Sequence, residues 1–334
     1  MPMVLGFLHV KGDDYLIEVF SKRKDKPTAY PSLRPTEVGQ GARKYPAFTP
    51  VEFAISKDAK TWTSCFDAPT LTGVYCTMAP DVQPATRTNN LRKVGLQDGS
   101  RLLSTAYDTR DFTMSMYCEG VDETDAMLAY DSLQQFLVAR EAYWICFANW
   151  PHRIYYVLAK MDKPTYTNEK TWTCTVTFTD LYGLSRSLGT SQDYPDDVWG
   201  VGNNMPEDVD PQYTFTTNQF SVYNLSNVMI DPDRRGHPFK MILKGHSDGN
   251  LKITNKTTGD YLTRCGIVGD NGSHSASNFD GTFMVDGIRA TLNGKSDTLN
   301  VDDGAIHLDI GKNDFQIDNF AGTVSFDFPF WWFS

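Results

Sequence analysis

The sequence has 334 residues, of which 40% are hydrophobic and 22% are charged. This composition is sufficient to fill hydrophobic cores and excludes a disordered polymer, and the length exceeds the roughly 250–300 residues at which one core usually stops growing. No run approaches the roughly 20 consecutive apolar residues of a membrane-spanning helix. The first residues lack a basic leader and a small-residue cleavage site, so we expect neither a membrane span nor a signal peptide.

The net charge of −10 is concentrated in the second part of the chain. Residues 1–190 contain 21 basic and 21 acidic residues, whereas residues 191–334 contain 10 basic and 20 acidic residues. This asymmetry favours two domains, and the lack of clustered positive charge argues against a protein that wraps nucleic acid. The six cysteines form no C-x-x-C pair, and several lie among apolar residues, which predicts buried free thiols.

The first 110 or so residues contain short strand-like runs, of which Tyr15–Phe20 is the first clear one. Residues 21–48 are basic, rich in proline and poor in aliphatic side chains, which predicts a long surface loop. Two interpretations of this loop stay open: a solvated excursion without a role, or a segment that contacts a partner. The second interpretation rests on the basic residues Lys22, Arg23, Lys24, Lys26 and Arg34.

The clearest helix is predicted to begin near Asp122 and to continue to Arg140. Acidic residues and a capping hydroxyl occupy residues 122–125, where the free amides and the positive end of the helix dipole lie. One apolar stripe then recurs at three- and four-residue steps, which predicts packing against a sheet. The core residues of this helix are predicted to be Ala129, Leu133, Phe136 and Leu137.

Strands are predicted on both sides of the helix, over residues 112–118, 153–159 and 171–179. In the last of these runs, tryptophan, cysteine, valine and phenylalanine alternate with threonines, as in an antiparallel strand with one buried face. The first domain is therefore predicted to be mainly β with one substantial helix.

After this domain the composition changes, because glycine, serine, asparagine and proline crowd residues 183–212 and indicate a linker. The remaining chain predicts a second all-β domain, with short strands separated by turn pairs. These pairs are Asp280-Gly281, Asp286-Gly287, Asn293-Gly294 and Asp303-Gly304. In residues 324–330, valine and phenylalanines alternate with serine, aspartate and proline, which predicts a last core strand. For Trp331 and Trp332, which follow it, two interpretations stay open: packing in the core or between domains, and surface aromatics that bind a ligand or a protein.

No catalytic or metal-binding motif stands out, so no enzyme activity, cofactor or metal is predicted. The six histidines show neither H-x-x-x-H spacing nor a zinc-spaced cysteine partner. A nucleophile elbow and a phosphate-binding loop are also missing from the sequence. A glycosidase that uses a carboxylate pair stays as an alternative without a supporting motif.

Several segments of the first part resemble the end of the N-terminal domain of siphophage distal tail (Dit) proteins. They are Tyr117–Gly120, the helix through Leu133, Arg140–Ile145, Pro151–Tyr155 and Phe178–Leu184. A second series resembles the galectin-like C-terminal domain of the same family. It comprises Phe220–Asn224, Ile230–Pro232, Lys244–Gly245, Leu251–Asn255, Thr257–Asp260, Leu308–Phe315 and Phe326–Phe330.

The resemblance implies a mainly β fold with an N-terminal β-sandwich-type belt domain over residues 1–185. A linker over residues 186–213 and a galectin-like β-sandwich over residues 214–334 would follow it. It also implies a structural hub without enzymatic activity, located in the virion at the tail tip and made in the host bacterial cytoplasm.

Such a hub forms a homohexameric ring that joins the tail tube protein to the tail-associated protein. The ring leaves a channel through which DNA passes without specific binding, and its outer domains offer a platform for receptor-binding proteins. No membrane partner is implied. The alternative is a carbohydrate-binding module that recognises host cell-wall polysaccharide through the second domain.

Overall fold

The computed structural model describes residues 18–26, 48–96, 98–193, 204–267, 275–302 and 304–334. Within these ranges the protein is mainly β, with one α-helix and several antiparallel sheets. The predicted fold class is therefore confirmed.

The first part of the chain forms eleven strands, the α-helix and a 3₁₀ turn at Pro69–Leu71. The strands are β1 (Phe53–Ser56), β2 (Thr63–Ser64), β3 (Val74–Met78), β4 (Arg87–Arg92), β5 (Arg101–Tyr107), β6 (Arg110–Glu119), β7 (Tyr143–Phe147), β8 (Arg153–Met161), β9 (Thr165–Asn168), β10 (Thr171–Asp180) and β11 (Ser185–Ser187). Helix α1 spans Glu123–Leu137.

The main sheet of this part has the order β2-β1-β7-β8-β10-β6-β3, with β9 paired to β10 and β11 paired to β8. β6 and β10 pair along their whole length, from Thr171 opposite Glu119 to Asp180 opposite Arg110. The apolar residues of β10 are buried, as the alternation with threonine predicts. The predicted strands over 112–118, 153–159 and 171–179 are confirmed as β6, β8 and β10.

Helix α1 lies across one face of this sheet. Its N-cap is Asp122, whose side chain accepts a hydrogen bond of 2.8 Å from the backbone N–H of Asp125. Near its start the Ala126 carbonyl accepts a 2.8 Å hydrogen bond from Trp172 of β10, and near its end Phe136 packs edge-on against Phe53 of β1.

The helix ends three residues before the predicted Arg140. The backbone N–H of Val138 closes the last turn onto the Gln134 carbonyl, and Val138 itself is extended. The Leu137 carbonyl accepts a 2.7 Å hydrogen bond from Tyr143, which ties the end of the helix to β7.

The second part of the chain forms another eleven strands and a 3₁₀ turn at Thr298–Asn300. The strands are β12 (Thr214–Phe215), β13 (Gln219–Asn224), β14 (Lys240–Ser247), β15 (Leu251–Asn255), β16 (Tyr261–Arg264), β17 (Phe279–Asp286), β18 (Arg289–Leu292), β19 (Lys295–Ser296), β20 (Gly311–Asp318), β21 (Ala321–Asp327) and β22 (Trp331–Trp332).

Ten of these strands form two antiparallel sheets, with the orders β12-β21-β14-β17-β18-β19 and β13-β20-β15-β16. Residues from both sheets, among them Phe283, Phe315 and Phe326, belong to one buried cluster. The second part is thus a β-sandwich, as the spacing of its turn signals predicts.

One of the predicted turns is wrong, because Asp280-Gly281 lies inside β17. The Asn293 side chain, from the turn after β18, packs against Gly281 and accepts a 2.8 Å hydrogen bond from the Thr282 N–H. A Cβ on Gly281 would lie 2.1 Å from the Asn293 amide oxygen, so glycine here allows a close approach. Turns do occur at Asp286-Gly287 and Asn293-Gly294, whereas Asp303 lies outside the described residues.

The predicted linker at 186–213 begins inside a packed strand. β11 pairs on one side with β8 and on the other with β22, so the end of the second part joins the sheet of the first. Ser191 is buried and donates a 2.8 Å hydrogen bond to the Phe326 carbonyl. Residues 185–191 are therefore not a free linker, although their composition suggests one, because serine hydroxyls bond the backbone of a distant segment. Residues 194–203 lie outside the described ranges.

Two further predictions concern the first strand and the cysteines. Of the predicted Tyr15–Phe20 strand, residues 15–17 lie outside the described residues and residues 18–20 are irregular. All six cysteines are free and five of them are buried, which confirms the thiol prediction.

Candidate interaction surfaces

Titratable side chains meet at one place in the described ranges, where the His307 ring nitrogens lie 3.0 Å from Asp260 and 3.3 Å from Asp231. No set of three or more histidine, cysteine, aspartate or glutamate side chains there could hold a metal ion. Burial raises the pKa of the Cys65 and Cys76 thiols to about 12, which makes them poor nucleophiles. None of the described helices is long and apolar enough to span a membrane. Interaction surfaces are therefore the features to analyse.

One extended element that is exposed in the described structure is the two-stranded hairpin Arg87–Tyr107, which we call the arm. It consists of β4, β5 and the turn between them, and β4 and β5 pair only with each other. Every described residue from Thr86 to Ser104 is exposed, so the described part of the chain covers neither face of the arm along this stretch. An isolated two-stranded hairpin is only marginally stable in water.

The arm carries apolar side chains that the described residues leave exposed. Leu91, Leu96, Leu102 and Leu103 are each more than half exposed, and Val94 is nearly so. Scattered single hydrophobic residues on a surface are normal, but five in one short hairpin indicate a contact surface.

Charge also distinguishes the arm from its surroundings. It contains four basic residues and one acidic residue, so its net charge is +3 in a part of the chain that is otherwise nearly neutral. The basic residues are Arg87, Arg92, Lys93 and Arg101, and the acidic residue is Asp98.

The root of the arm is fixed to the body. The backbone N–H of Asp108 donates a 2.8 Å hydrogen bond to the Thr86 carbonyl, and the Tyr107 ring lies 5.5 Å from that of Phe333. Gly183 has a φ of +63°, and a Cβ there would lie 1.9 Å from the Asp108 carbonyl oxygen. Only glycine allows this close approach. The arm is thus an exposed element on a packed base.

The outer face of α1 is a second exposed surface with the opposite charge. The helix contains three acidic residues and no basic residue. Met127 and Leu128 are exposed among Glu123 and Asp131, which lie three or four residues away and therefore on the same side. We call these four residues the α1 outer face.

The inner face of α1 has the opposite character. Of the predicted core residues, Leu133 and Leu137 are fully buried, Ala129 is buried and Phe136 is half-buried. They pack with residues of the main sheet in one cluster. The helix therefore covers the sheet with one face and presents the other to solvent.

Three of the four described basic residues of the 21–48 segment bond to this chain's own groups. Lys26 pairs with the buried Glu52 at 2.8 Å, and Arg23 donates a 2.9 Å hydrogen bond to the Phe66 carbonyl. Lys22 forms an ion pair with Glu18, and Lys24 is exposed. These contacts hold residues 21–26 on the first domain. Arg34 and the rest of 27–47 lie outside the described residues, so a partner contact by this segment stays a prediction.

The surface interpretation of Trp331 and Trp332 is wrong, because they are only 2% and 0% exposed. The Trp332 indole N–H donates a 3.0 Å hydrogen bond to the Leu225 carbonyl, and the Trp331 ring packs edge-on against Tyr182. Both lie where residues 326–334 join the first part of the chain through β11, a region that we call the seam. The other interpretation, packing in the core or between domains, agrees with these contacts.

Two buried arginines of the main sheet hold the last residues at this seam. Arg110 pairs with Asp180 at 3.0 Å and also donates to the Phe333 carbonyl. Arg153 bonds to Ser334 and stacks over Trp332 at 5.0 Å. Burial raises the pKa of Asp180 to about 6, and the Arg110 guanidinium opposes that shift.

A cleft at the seam contains a half-buried histidine. The His237 ring stacks on Trp331 at 5.4 Å, and its Nδ1 accepts a 3.1 Å hydrogen bond from the Asp231 N–H. Burial lowers the pKa of His237 to about 4, although the Asp231 carboxylate opposes this shift. The neutral imidazole is therefore a structural acceptor.

Comparison with known proteins points to phage tails. Residues 77–179 match the family model of the phage tail protein RIFT-related domain, which covers about a third of the chain and includes both the arm and α1. No curated protein matches the sequence.

Among solved structures, the Dit protein of phage SPP1 is similar with 16% identity and a TM-score of 0.52. The match covers 83% of this chain and 99% of that one. The SPP1 protein is described as a paradigm of the hub adsorption apparatus in phages that infect Gram-positive bacteria. The baseplate of phage p2, in its activated conformation with calcium, matches with 10% identity and a TM-score of 0.37, covering 84% of this chain and 97% of that one.

These findings confirm the predicted resemblance to siphophage distal tail proteins. The first part contains a phage tail domain match, and the chain shares the fold of the SPP1 protein over most of its length.

Reasoning from sequence did not single out the arm. Its two strands are exposed on both faces, so no alternation of apolar and polar residues marks them. The sequence signal for a turn is the pair of glycines at 95 and 99, with leucines and arginines on either side. In the structure both glycines have a positive φ.

Proposed function

We propose that this protein is the structural hub of a siphophage tail tip, and that six copies form a closed ring through their first domains. The observation that carries the proposal is the arm, an apolar and basic element that the described part of its own chain leaves exposed. It lies within the stretch that matches the phage tail domain. A monomer with such a surface would tend to aggregate, whereas an assembled ring would bury it.

The number six and the ring come from the resemblance to distal tail proteins. A closed ring repeats one heterologous contact by rotation, so each copy needs two different complementary patches. A stable contact buries more than about 1,000 Å², which an exposed hairpin of this size can supply in large part.

In the assembled tail the ring would join the tail tube protein to the tail-associated protein and leave a channel for DNA. The first 190 residues have no net charge, so ring formation meets little long-range repulsion. A channel with little net positive charge would also let DNA pass without holding its phosphates.

The second domain would lie on the outside of the ring as a platform for receptor-binding proteins. Its net negative charge would keep the six copies apart and soluble. The hub would act through its surfaces and not through catalysis. It would be located in the virion at the tail tip after synthesis in the host cytoplasm.

The carbohydrate-binding alternative has lost its main support. It rested on surface aromatics at the end of the second domain, and those two tryptophans are buried at the seam. No other observation favours it over the hub.

Native mass spectrometry of the full chain tests the ring, and immunogold labelling of phage particles tests the location. We expect a species of six copies and label at the tail tip. A protein that stays monomeric at high concentration, with the tail tube and tail-associated proteins present, would refute the proposal. Label confined to the capsid would refute it as well.

A further inference from the structure

We propose that the arm of one copy docks on the α1 outer face of the next copy, so that these two surfaces form the repeated contact of the ring. This inference rests on the proposed function and specifies the surfaces that it needs. The occupant of the α1 outer face is thus a second copy of this chain.

The two surfaces are chemically complementary. The arm combines exposed leucines with a net charge of +3, and the α1 outer face combines Met127 and Leu128 with the acidic Glu123 and Asp131, a charge of −2. Apolar side chains at the centre with charges around them are the usual composition of a specific protein contact. Opposite charges across the contact would speed association and set the register.

The same charges disfavour symmetric pairing. An arm against an arm would bring together two surfaces of charge +3, and a helix against a helix would bring together two outer faces of charge −2. Like charges placed opposite one another in an interface are costly. Arm against helix is the combination that satisfies both surfaces.

The positions of the two surfaces in the fold point the same way. The arm returns to the sheet at the Arg110 end of β6, whereas α1 begins just after Glu119 at the other end. Ten strand residues separate these points by about 30 Å, and the arm itself is about 23 Å long at roughly 3.3 Å per residue. The arm and the start of α1 therefore lie at opposite ends of one strand.

Two complementary patches at different places on one chain give a heterologous contact. Such contacts repeat from copy to copy and close into a ring when the rotation allows. The hub proposed above needs this type of contact, and a two-fold dimer would not use it.

Charge reversal tests the pairing with the full chain. In the arm variant R92E/K93E the basic side chains face the acidic helix with the wrong sign. In the helix variant E123K/D131K the acidic side chains are reversed instead. We expect each variant to raise the concentration needed for half assembly by about tenfold or more, measured by mass photometry.

Combining the two variants gives the decisive measurement. The quadruple variant restores opposite charges across the contact, so assembly should recover to near the wild-type concentration. Failure of the quadruple variant to assemble better than either parent would overturn the pairing. An unchanged arm variant would overturn it too.

Two control variants separate the charge pairing from a general effect of surface charge and from apolar contact. R289E reverses an exposed charge on β18 of the second domain and should leave assembly unchanged. L102S/L103S removes apolar contacts of the arm without changing its charge, so it should weaken assembly in a way that E123K/D131K does not rescue. Urea unfolding of the arm variants and of R289E should give the wild-type midpoint, since these side chains are exposed, whereas E123K/D131K should lower the midpoint slightly, because Glu123 lies in the first turn of α1 and Asp131 accepts a hydrogen bond from Gln135.

Failure of this inference is distinguishable from failure of the hub. If the wild type forms a six-copy species and both charge variants keep it, the ring stands and the arm–helix pairing is wrong. If the wild type forms no oligomer with tail partners present, the proposed function itself fails.

Discussion

The seam at residues 326–334 and the arm at Arg87–Tyr107 differ in the exposure of their apolar side chains to solvent. At the seam, Trp331 and Trp332 are buried, and their backbone pairs with β11. In the arm, five large apolar side chains stay exposed, three of them on β4 and β5 and two in the turn between these strands. Both regions are rich in hydrophobic residues, so composition alone does not separate them.

The difference lies in which molecule supplies the partner. The seam is complete within one chain, because Arg110 and Arg153 bond its carbonyls and the β-sandwich covers its rings. The arm has a fixed root, and the described residues leave its apolar side chains exposed, so we expect their cover to come from another molecule. Substitutions at the seam should therefore act on folding, and substitutions in the arm should act on assembly.

The largest expected effect is that of Trp332→Ala at the seam. Removing a fully buried indole leaves a cavity and an unpaired Leu225 carbonyl, which should lower the free energy of unfolding by about 3–5 kcal/mol. Urea unfolding measures this loss. Trp332→Phe is the matched control and should lose less, and equal stability of the alanine variant and the wild type would show that the seam is not a core.

The two faces of α1 allow the same comparison within one helix. Leu133→Ala on the inner face should cost roughly 2–5 kcal/mol of unfolding free energy, because Leu133 is fully buried. Leu128→Ala on the outer face should change it by less than about 0.5 kcal/mol. Thermal or urea unfolding of the pair checks this, and similar losses for both would mean that the helix faces are misassigned.

Acid should weaken the seam through His237, whose pKa is lowered by burial from 6.5 to about 4. As pH falls, the unfolded chain binds a proton at this residue first, so stability present above pH 6.5 is lost towards pH 4. Relative to His237→Gln, the wild type should lose about 2 kcal/mol of unfolding free energy between pH 7 and pH 5. Urea unfolding at the two pH values measures the difference.

Comparing the two proteins removes the contributions that they share. Asp180 is one of these, and its sign is opposite, because its pKa is raised to about 6 and protonation then favours the folded state as pH falls. A wild type and a His237→Gln variant that change in parallel with pH would show that His237 is not held neutral by the fold.

The smallest effect on folding is expected in the arm. Leu96 lies at its tip and is fully exposed, so Leu96→Ala should change the free energy of unfolding by less than about 0.5 kcal/mol. The same substitution should weaken self-association measured by mass photometry. A clear loss of unfolding free energy without a change in self-association would contradict the claim that substitutions in the arm act on assembly and not on folding.

The elements predictable from sequence are those with one buried face. In β10, threonines alternate with Trp172 and its neighbours, and this period-two pattern gives the strand within one residue of its observed end. The Asp122 cap likewise gives the start of α1, because a capping side chain and the first turn are local in sequence.

The seam and the arm are harder to predict, for different physical reasons. β11 and β22 are about 145 residues apart, and no local pattern marks serines as the partners of a tryptophan strand. The arm has no buried face and therefore no period, and the function of such an element lies in a contact that one sequence does not contain. Gly281 shows a third reason. The turn-like pair Asp280-Gly281 lies within β17, and glycine occurs there because the Asn293 side chain, from the turn after β18, comes too close for a Cβ.

The most direct test of the central claim is a low-resolution electron microscopy image of the purified full chain at high concentration. The account predicts six-fold annular particles with a central channel and with density between neighbouring first domains where the arms lie. Single, separate subunits under the same conditions, or two-fold dimers joined through their second domains, would contradict it.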